Sequence, residues 1–234
     1  MVRIPPASVV IPAAGEGVRL PGRVRKPYRD LGGRPVLIRT LEVFRTLGFV
    51  REIILVLHPE DLPKVERRWR RLLTALKVSV LVPGGKTRAE SVARGVEASS
   101  SRSRLILVHD AARPLVSPAS VRSVAAAAAL RGAAILAIPV TDTVKRVSPD
   151  GKVIKTLDRN ELWLAQTPQA FRRPLLLQAC RRFLAGGARG SPTDDAGLLE
   201  GRHPVWVVRG KGENFKISTP RDLAWARIIR NLSR

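Results

Sequence analysis

The sequence predicts an α/β fold: an open, mostly parallel sheet flanked by helices. Two observations predict it. Short apolar runs rich in Val, Ile and Leu alternate with longer stretches whose apolar residues recur at helical spacing. Three of the apolar runs end in loops of small or polar residues, at Ala13–Gly17, Gly84–Lys86 and His109–Arg113. Right-handed crossovers put the carboxyl ends of successive strands on one edge, the edge where such sheets bind ligands. The 234 residues suffice for one domain, taken as 1–234.

Val9-Val10-Ile11 opens the chain as a buried strand, and Ala13-Ala14-Gly15-Glu16-Gly17 leaves the backbone behind it uncovered. Arg19 and Lys26 follow in a Gly/Pro-rich loop closed by Gly32-Gly33. Bared N–H groups beside two cations suit a triphosphate, and equally suit an ordinary strand-to-helix turn. Pro35 is expected in the first turn of a helix over Val36–Leu47, with its stripe at Leu37, Leu41, Phe44 and Leu47 and Gly48 as C-cap. Glu52–Leu57 is a continuous apolar run, hence a buried parallel strand. A helix with a basic outer face is expected over Asp61–Leu76, then a strand over Val78–Val82. After the turn Pro83–Lys86, Thr87-Arg88-Ala89-Glu90 is a capping box for a helix through Val96. Arg104–Val108 is a strand, Ser117–Leu130 an Ala-rich helix and Ala134–Val140 a strand.

The alternation stops there. Thr143–Val147 and Lys152–Leu157 read as two short strands joined by the turn Ser148-Pro149-Asp150-Gly151. Two strands alone are marginal in water, so this arm, at about 141–162, is expected to pack on a second subunit. Trp163–Gln169 leads to a helix from Pro174 to Leu184 and a Gly-rich loop, Ala185–Gly190. Thr193-Asp194-Asp195-Ala196 is expected to open another helix. Val205–Arg209 is a strand, and Asn214–Ser218 an extended piece in which Phe215 and Ile217 aim Lys216 the other way. Thr219 as N-cap and Pro220 after it start a terminal helix to Leu232.

Composition removes several function classes. No apolar run is long enough to span a bilayer, and the N-terminus has no signal-peptide core. The one cysteine, Cys180, allows no internal disulfide and reads as buried filler; a cytoplasmic protein is expected. The net charge of +23 invites a nucleic-acid reading. Against it, the basic residues are spread through nearly every segment and aromatics make up only 4%, too few for base-stacking platforms. Asp110 ends a buried strand, where a lone carboxylate is costly; it reads as a metal ligand or as a turn aspartate.

Taken in order, AAGEGVR with Lys26, GGKTRAESV, VHDAARP, PVTDTVKR, LDRNELW, QTPQAF, TDDA and ENFKIST resemble the 2-C-methyl-D-erythritol 4-phosphate cytidylyltransferase family, from Ser8 to about Ala226. The resemblance implies a Rossmann-like nucleotidyltransferase fold, a homodimer that exchanges its β-arms, and Mg2+ as cofactor. It implies transfer of cytidylate from CTP to methylerythritol phosphate with release of pyrophosphate. Carried over by position, Arg19, Lys26 and Lys216 are the catalytic cations. Ala13, Ala14, Gly15, Gly85, Ser91 and Asp110 meet the nucleotide, Asp110 also as the metal ligand. Arg113, Thr143, Arg159 and Thr193 meet the acceptor. The chain departs from the family pattern at Arg25-Lys26-Pro27, where relatives usually read Pro-Lys-Gln, and at Lys86, where many carry Asp. A cytidylyltransferase for another polyol phosphate, such as ribitol phosphate, would share the phosphate-handling residues. A nucleic-acid binder on an inactive transferase fold is disfavoured by the presence of all four of Arg19, Lys26, Asp110 and Lys216.

Overall fold

The computed structural model describes residues 3–15, 24–186 and 192–232. Five strands make the frame: β1 (Ala7–Ala13), β2 (Val50–Leu57), β3 (Val78–Pro83), β4 (Leu105–Val108) and β5 (Ala133–Pro139). The helices α1 (Val36–Arg45), α2 (Leu62–Ala75), α3 (Arg88–Glu97) and α4 (Pro118–Arg131) lie between them in sequence. The arm strands β6 (Lys145–Val147) and β7 (Val153–Thr156) form a separate two-stranded sheet. Then come β8 (Trp163–Arg172), α5 (Arg173–Leu184), β9 (Trp206–Arg209) and α6 (Pro220–Leu232). The main sheet has seven strands in the order β3-β2-β1-β4-β8-β5-β9. Only β8 runs against its neighbours, antiparallel to both β4 and β5; the other pairings are parallel.

The period-2 geometry of β1 explains why its run is apolar throughout. Val9 and Ile11 enter one core with Leu37, Leu41 and Phe44 of α1 and Val121 and Val124 of α4. Val10 between them enters the opposite core with Val92 and Val96 of α3 and Leu176 of α5. Gly95 lets α3 approach the sheet: a Cβ there would lie 2.5 Å from Cγ1 of Val10. Each fully buried Leu or Phe contributes about 1.5–3 kcal/mol. A third, smaller core joins Leu31, Val36, Ile217 and Ala226, and so fastens α6 beside the first loop.

Several expectations need correction. The first helix ends at Arg45 with Thr46 as its cap, because Gly48 falls within the turn into β2 and does not adopt a positive φ. Pro35 is its N-cap residue and lies just outside the first turn. Thr193 opens no α-helix: only a single 3-10 turn forms, at Ala196–Leu198, held by Asp194 Oδ1 accepting from Gly197 N. With Gly197 and Gly201 so close, there is too little good helical sequence to repay nucleation. Thr143 precedes its expected strand, which starts at Lys145. Lys216 stands in an irregular segment tied to the body by Ile217 N donating to Ala112 O at 2.9 Å.

Candidate active site

The carboxyl ends of β1, β3 and β4 share one edge and bound a cleft of about 670 Å³. Pro12–Gly15, Gly84–Arg88, Asp110–Ala112 and Lys216 line it. Lys26 and Pro27 of the first loop and His58 and Pro59 after β2 join the lining. The two backbone loops touch: a Cβ on Gly84 would lie 2.3 Å from Cβ of Ala14. Only glycine fits there. Ser91 fastens the second loop, its hydroxyl accepting from Gly85 N at 3.0 Å and donating to Thr87 O at 2.9 Å. Thr87 caps α3 through Glu90 N, while the Glu90 carboxylate accepts from Lys86 N at 2.8 Å, one residue ahead of the usual capping-box partner.

Asp110 is the centre of charge. Lys216 Nζ lies 3.0 Å from its Oδ2, Arg113 Nε 3.3 Å from the same oxygen, and Arg88 3.3 Å from Oδ1. Burial pushes this carboxyl up, but the field of Arg88, Lys216 and Arg113 outweighs it and holds Asp110 well below the usual carboxylate range. Arg88 also forks onto both oxygens of Asp195 at 2.9 Å. Burial raises the Asp195 carboxyl, and the Arg88 charge beside it offsets this only in part. Behind Asp110 lies His109, fully buried. Thr167 Oγ1 accepts from Asp110 N and sits 3.0 Å from His109 Nδ1. Its single proton therefore goes to Nδ1, which leaves Nε2–H to donate to Arg113 O at 3.0 Å. Burial lowers the His109 pKa to about 4, so the ring is neutral and positions the backbone on both sides of Asp110.

The donor set fits Mg2+ in a limited way. Among the described residues no group of three His, Cys, Asp or Glu side chains could cage a metal. Asp110 does offer one permanently ionised carboxylate at the cleft wall. Mg2+ commonly takes one or two carboxylates and completes its octahedron with phosphate oxygens and water.

The family profile "IspD: 2-C-methyl-D-erythritol 4-phosphate cytidylyltransferase" matches residues 7–231. The chain belongs to the 2-C-methyl-D-erythritol 4-phosphate cytidylyltransferase family. Curated relatives of that name include one from Pelotomaculum thermopropionicum, 43% identical over 95% of this chain and 93% of its own. Another, from Symbiobacterium thermophilum, is 42% identical over 96% and 92%. Among solved structures, the 4-diphosphocytidyl-2C-methyl-D-erythritol synthase of Anaerococcus prevotii superposes with a TM-score of 0.84 at 32% identity, covering 100% of this chain and 98% of that one. The Thermus thermophilus cytidylyltransferase gives 0.77 at 36%, covering 95% and 98%. The Rossmann-like nucleotidyltransferase fold and the activity class, a cytidylyltransferase, follow for this chain.

Of the residues marked from sequence for this family, Ala13, Ala14, Gly15, Lys26, Gly85, Ser91, Asp110 and Lys216 converge on the cleft. Arg19 lies outside the described residues. Arg113 stands behind Asp110, its guanidinium donating to Asn214 O at 2.6 Å. Thr143, Arg159 and Thr193 are exposed and do not line the cleft, Arg159 donating to Thr141 O at 2.7 Å. Sequence reasoning left Arg88 and Asp195 without roles. A signal was present, because Arg88 is the first residue of a helix, where the dipole disfavours a cation. An arginine in that position needs an acid from elsewhere, and Asp195 supplies it.

Proposed function

We propose that the chain joins CTP to 2-C-methyl-D-erythritol 4-phosphate, forming 4-diphosphocytidyl-2-C-methyl-D-erythritol and pyrophosphate. The observation that carries this reading is the convergence of bared backbone, Lys26, Lys216 and the ionised Asp110 in one cleft. A phosphate oxygen of the acceptor attacks the α-phosphorus in line. The new P–O bond forms as the bond to the bridging oxygen breaks, and pyrophosphate leaves with the electron pair. Both reactants are polyanions, so the barrier is one of charge and placement, with little covalent work for the protein.

Ala13, Ala14 and Gly15 present bared backbone to the nucleotide, and Gly85 borders it with its own N–H bonded to Ser91 Oγ, which holds that loop in place. Cytosine is selected over a purine by cleft size and backbone contacts. Lys26 and Arg19 meet charge that gathers on the phosphoryl oxygens, and Lys216, aimed by Asp110, reaches the α-phosphate. Mg2+, when bound, neutralises triphosphate charge, and Asp110 would hold it. Arg113, Thr143, Arg159 and Thr193 serve the acceptor. Thr143 and Arg159 do so across a homodimer in which each arm completes its partner's site; the uncovered Val147, Val153 and Ile154 of the arm support this. The buried free thiol of Cys180 supports a cytoplasmic setting. The methylerythritol phosphate named for the relatives favours that acceptor over ribitol phosphate.

Pyrophosphate release from CTP with Mg2+ tests the reading, with the two polyol phosphates as rival acceptors. Release with methylerythritol phosphate alone is expected. Release with ribitol phosphate alone would reassign the acceptor, and silence from folded protein would overturn the reading.

A further inference from the structure

The structure assigns Arg25 the role of a positioning residue for Lys26: it clamps the segment that carries Lys26 to the turn between β2 and α2. This inference rests on the proposed transferase reading and deepens it. Arg25 Nη2 lies 2.8 Å from Glu60 Oε2, and Nη1 lies 2.9 Å from Asp61 Oδ2. The turn that holds these acids also supplies His58 and Pro59 to the cleft that Lys26 and Pro27 line. The clamp therefore joins two segments that line one cleft. It is also sheltered, the side chains of Arg25 and Asp61 being only 27% and 15% exposed, so solvent screens it less than an ordinary surface pair.

A second grip lies on the far side of Lys26. Pro27 is buried, and Tyr28 packs edge-to-face on Trp69 of α2 with ring centroids 5.8 Å apart. Between the grips the backbone makes a tight 3-10 turn, Tyr28 N donating to Arg25 O at 3.0 Å and Arg29 N to Lys26 O at 3.2 Å. Arg25 itself sits at φ −58° and ψ 147°, the well a proline ring would enforce. It has no ring to enforce it, and the ion pair to Asp61 holds the conformation from outside.

The test is a double-mutant cycle of Arg25→Gln and Asp61→Asn, read as pyrophosphate release at saturating and limiting CTP, with folding followed by circular dichroism. Each single change is expected to lower kcat about tenfold while the KM for CTP moves less than about twofold, because placement of a transition-state cation is lost. The double variant should be no slower than the slower single, since the same contact is removed twice. Arg25→Lys, which keeps a cation for Asp61, should recover most of the loss, and with Asp61→Asn it carries the test if Arg25→Gln does not fold. An unchanged kcat in Arg25→Gln, losses that multiply in the double variant, or a loss confined to KM would overturn the clamp. The wild type in the same assay separates the two claims: a silent wild type removes the transferase reading, whereas an active one with an indifferent Arg25→Gln removes the clamp alone.

Discussion

The cleft edge and the arm are built on opposite principles. At the cleft, the carboxylates of Asp110 and Asp195 each have a cation against them, and the backbone is fixed by His109, Thr167 and Ser91. On the arm, all residues of β6 and β7 are exposed and, among the described residues, the hairpin pairs with no other strand. Asp150 in its turn bonds within the turn itself, to Ser148 and to the backbone at Lys152. The first region pairs its charges within one chain. The second carries apolar surface that one chain leaves uncovered, the surface that the proposed arm exchange would bury.

Breaking the cleft's internal pairing should have the largest effect. Arg88→Ala leaves Asp195 buried without a partner, so a loss of about 3–5 kcal/mol is expected, read as a lowered melting temperature. A variant that melts like the wild type would mean that the pair lends no stability. Lys26→Ala or Lys216→Ala should cost about 10²–10³ in kcat with a much smaller change in CTP affinity, measured by steady-state pyrophosphate release. Near-normal turnover in either would remove that lysine from the mechanism.

Acid should loosen the same region more gradually. In the unfolded chain the His109 imidazole takes a proton near pH 6.5, in the fold only near 4. Between these values the unfolded state binds the extra proton. Stability is therefore full above pH 6.5 and falls as pH drops towards 4, by about 3 kcal/mol at most. His109→Gln should flatten this part of the pH–stability profile, and an unchanged slope would place the titration elsewhere.

The arm calls for complementary tests. Mixed dimers of Arg159→Ala and Lys26→Ala subunits should regain one working site if arms cross, and stay inactive if each arm serves its own chain. The smallest effect belongs to Ile154→Ser, within about 0.5 kcal/mol for the isolated chain because the residue is exposed. The same change should weaken dimers in sedimentation experiments, and unaltered association would clear the arm of a dimer role.

The two regions also differ in how legible they were. Strands β1 to β5 and helices α1 to α4 follow from local periodicity, and Thr219 with Pro220 marks the start of α6, where Asp222 N donates to Thr219 Oγ1 at 3.2 Å. Antiparallel insertion of β8 was not legible, because the pattern in Trp163–Arg172 says nothing of which strands it joins. The backbone loops and Lys216 could be read because small residues and a flanked lysine carry local meaning. Arg88 and Asp195 meet across 107 residues, a distance no local pattern reports. Arg113, assigned to the acceptor by resemblance, also pairs with Asp110 as part of its charge lattice, which no local pattern announces. Thr193 misled because capping residues signal a helix only where enough helix-forming sequence follows.

The placement of β8 also bears on how the protein is made. Strand β5 has β8 and β9 as its only sheet neighbours, and both come later in the chain. As the polypeptide leaves the ribosome, β1 to β4 can pair among themselves while β5 has no strand to lie against. The open side of β4 stays a bare row of amides until Trp163–Arg172 arrives to fill the gap. The final sheet is sealed from the middle, late in synthesis, by the one strand that runs the other way.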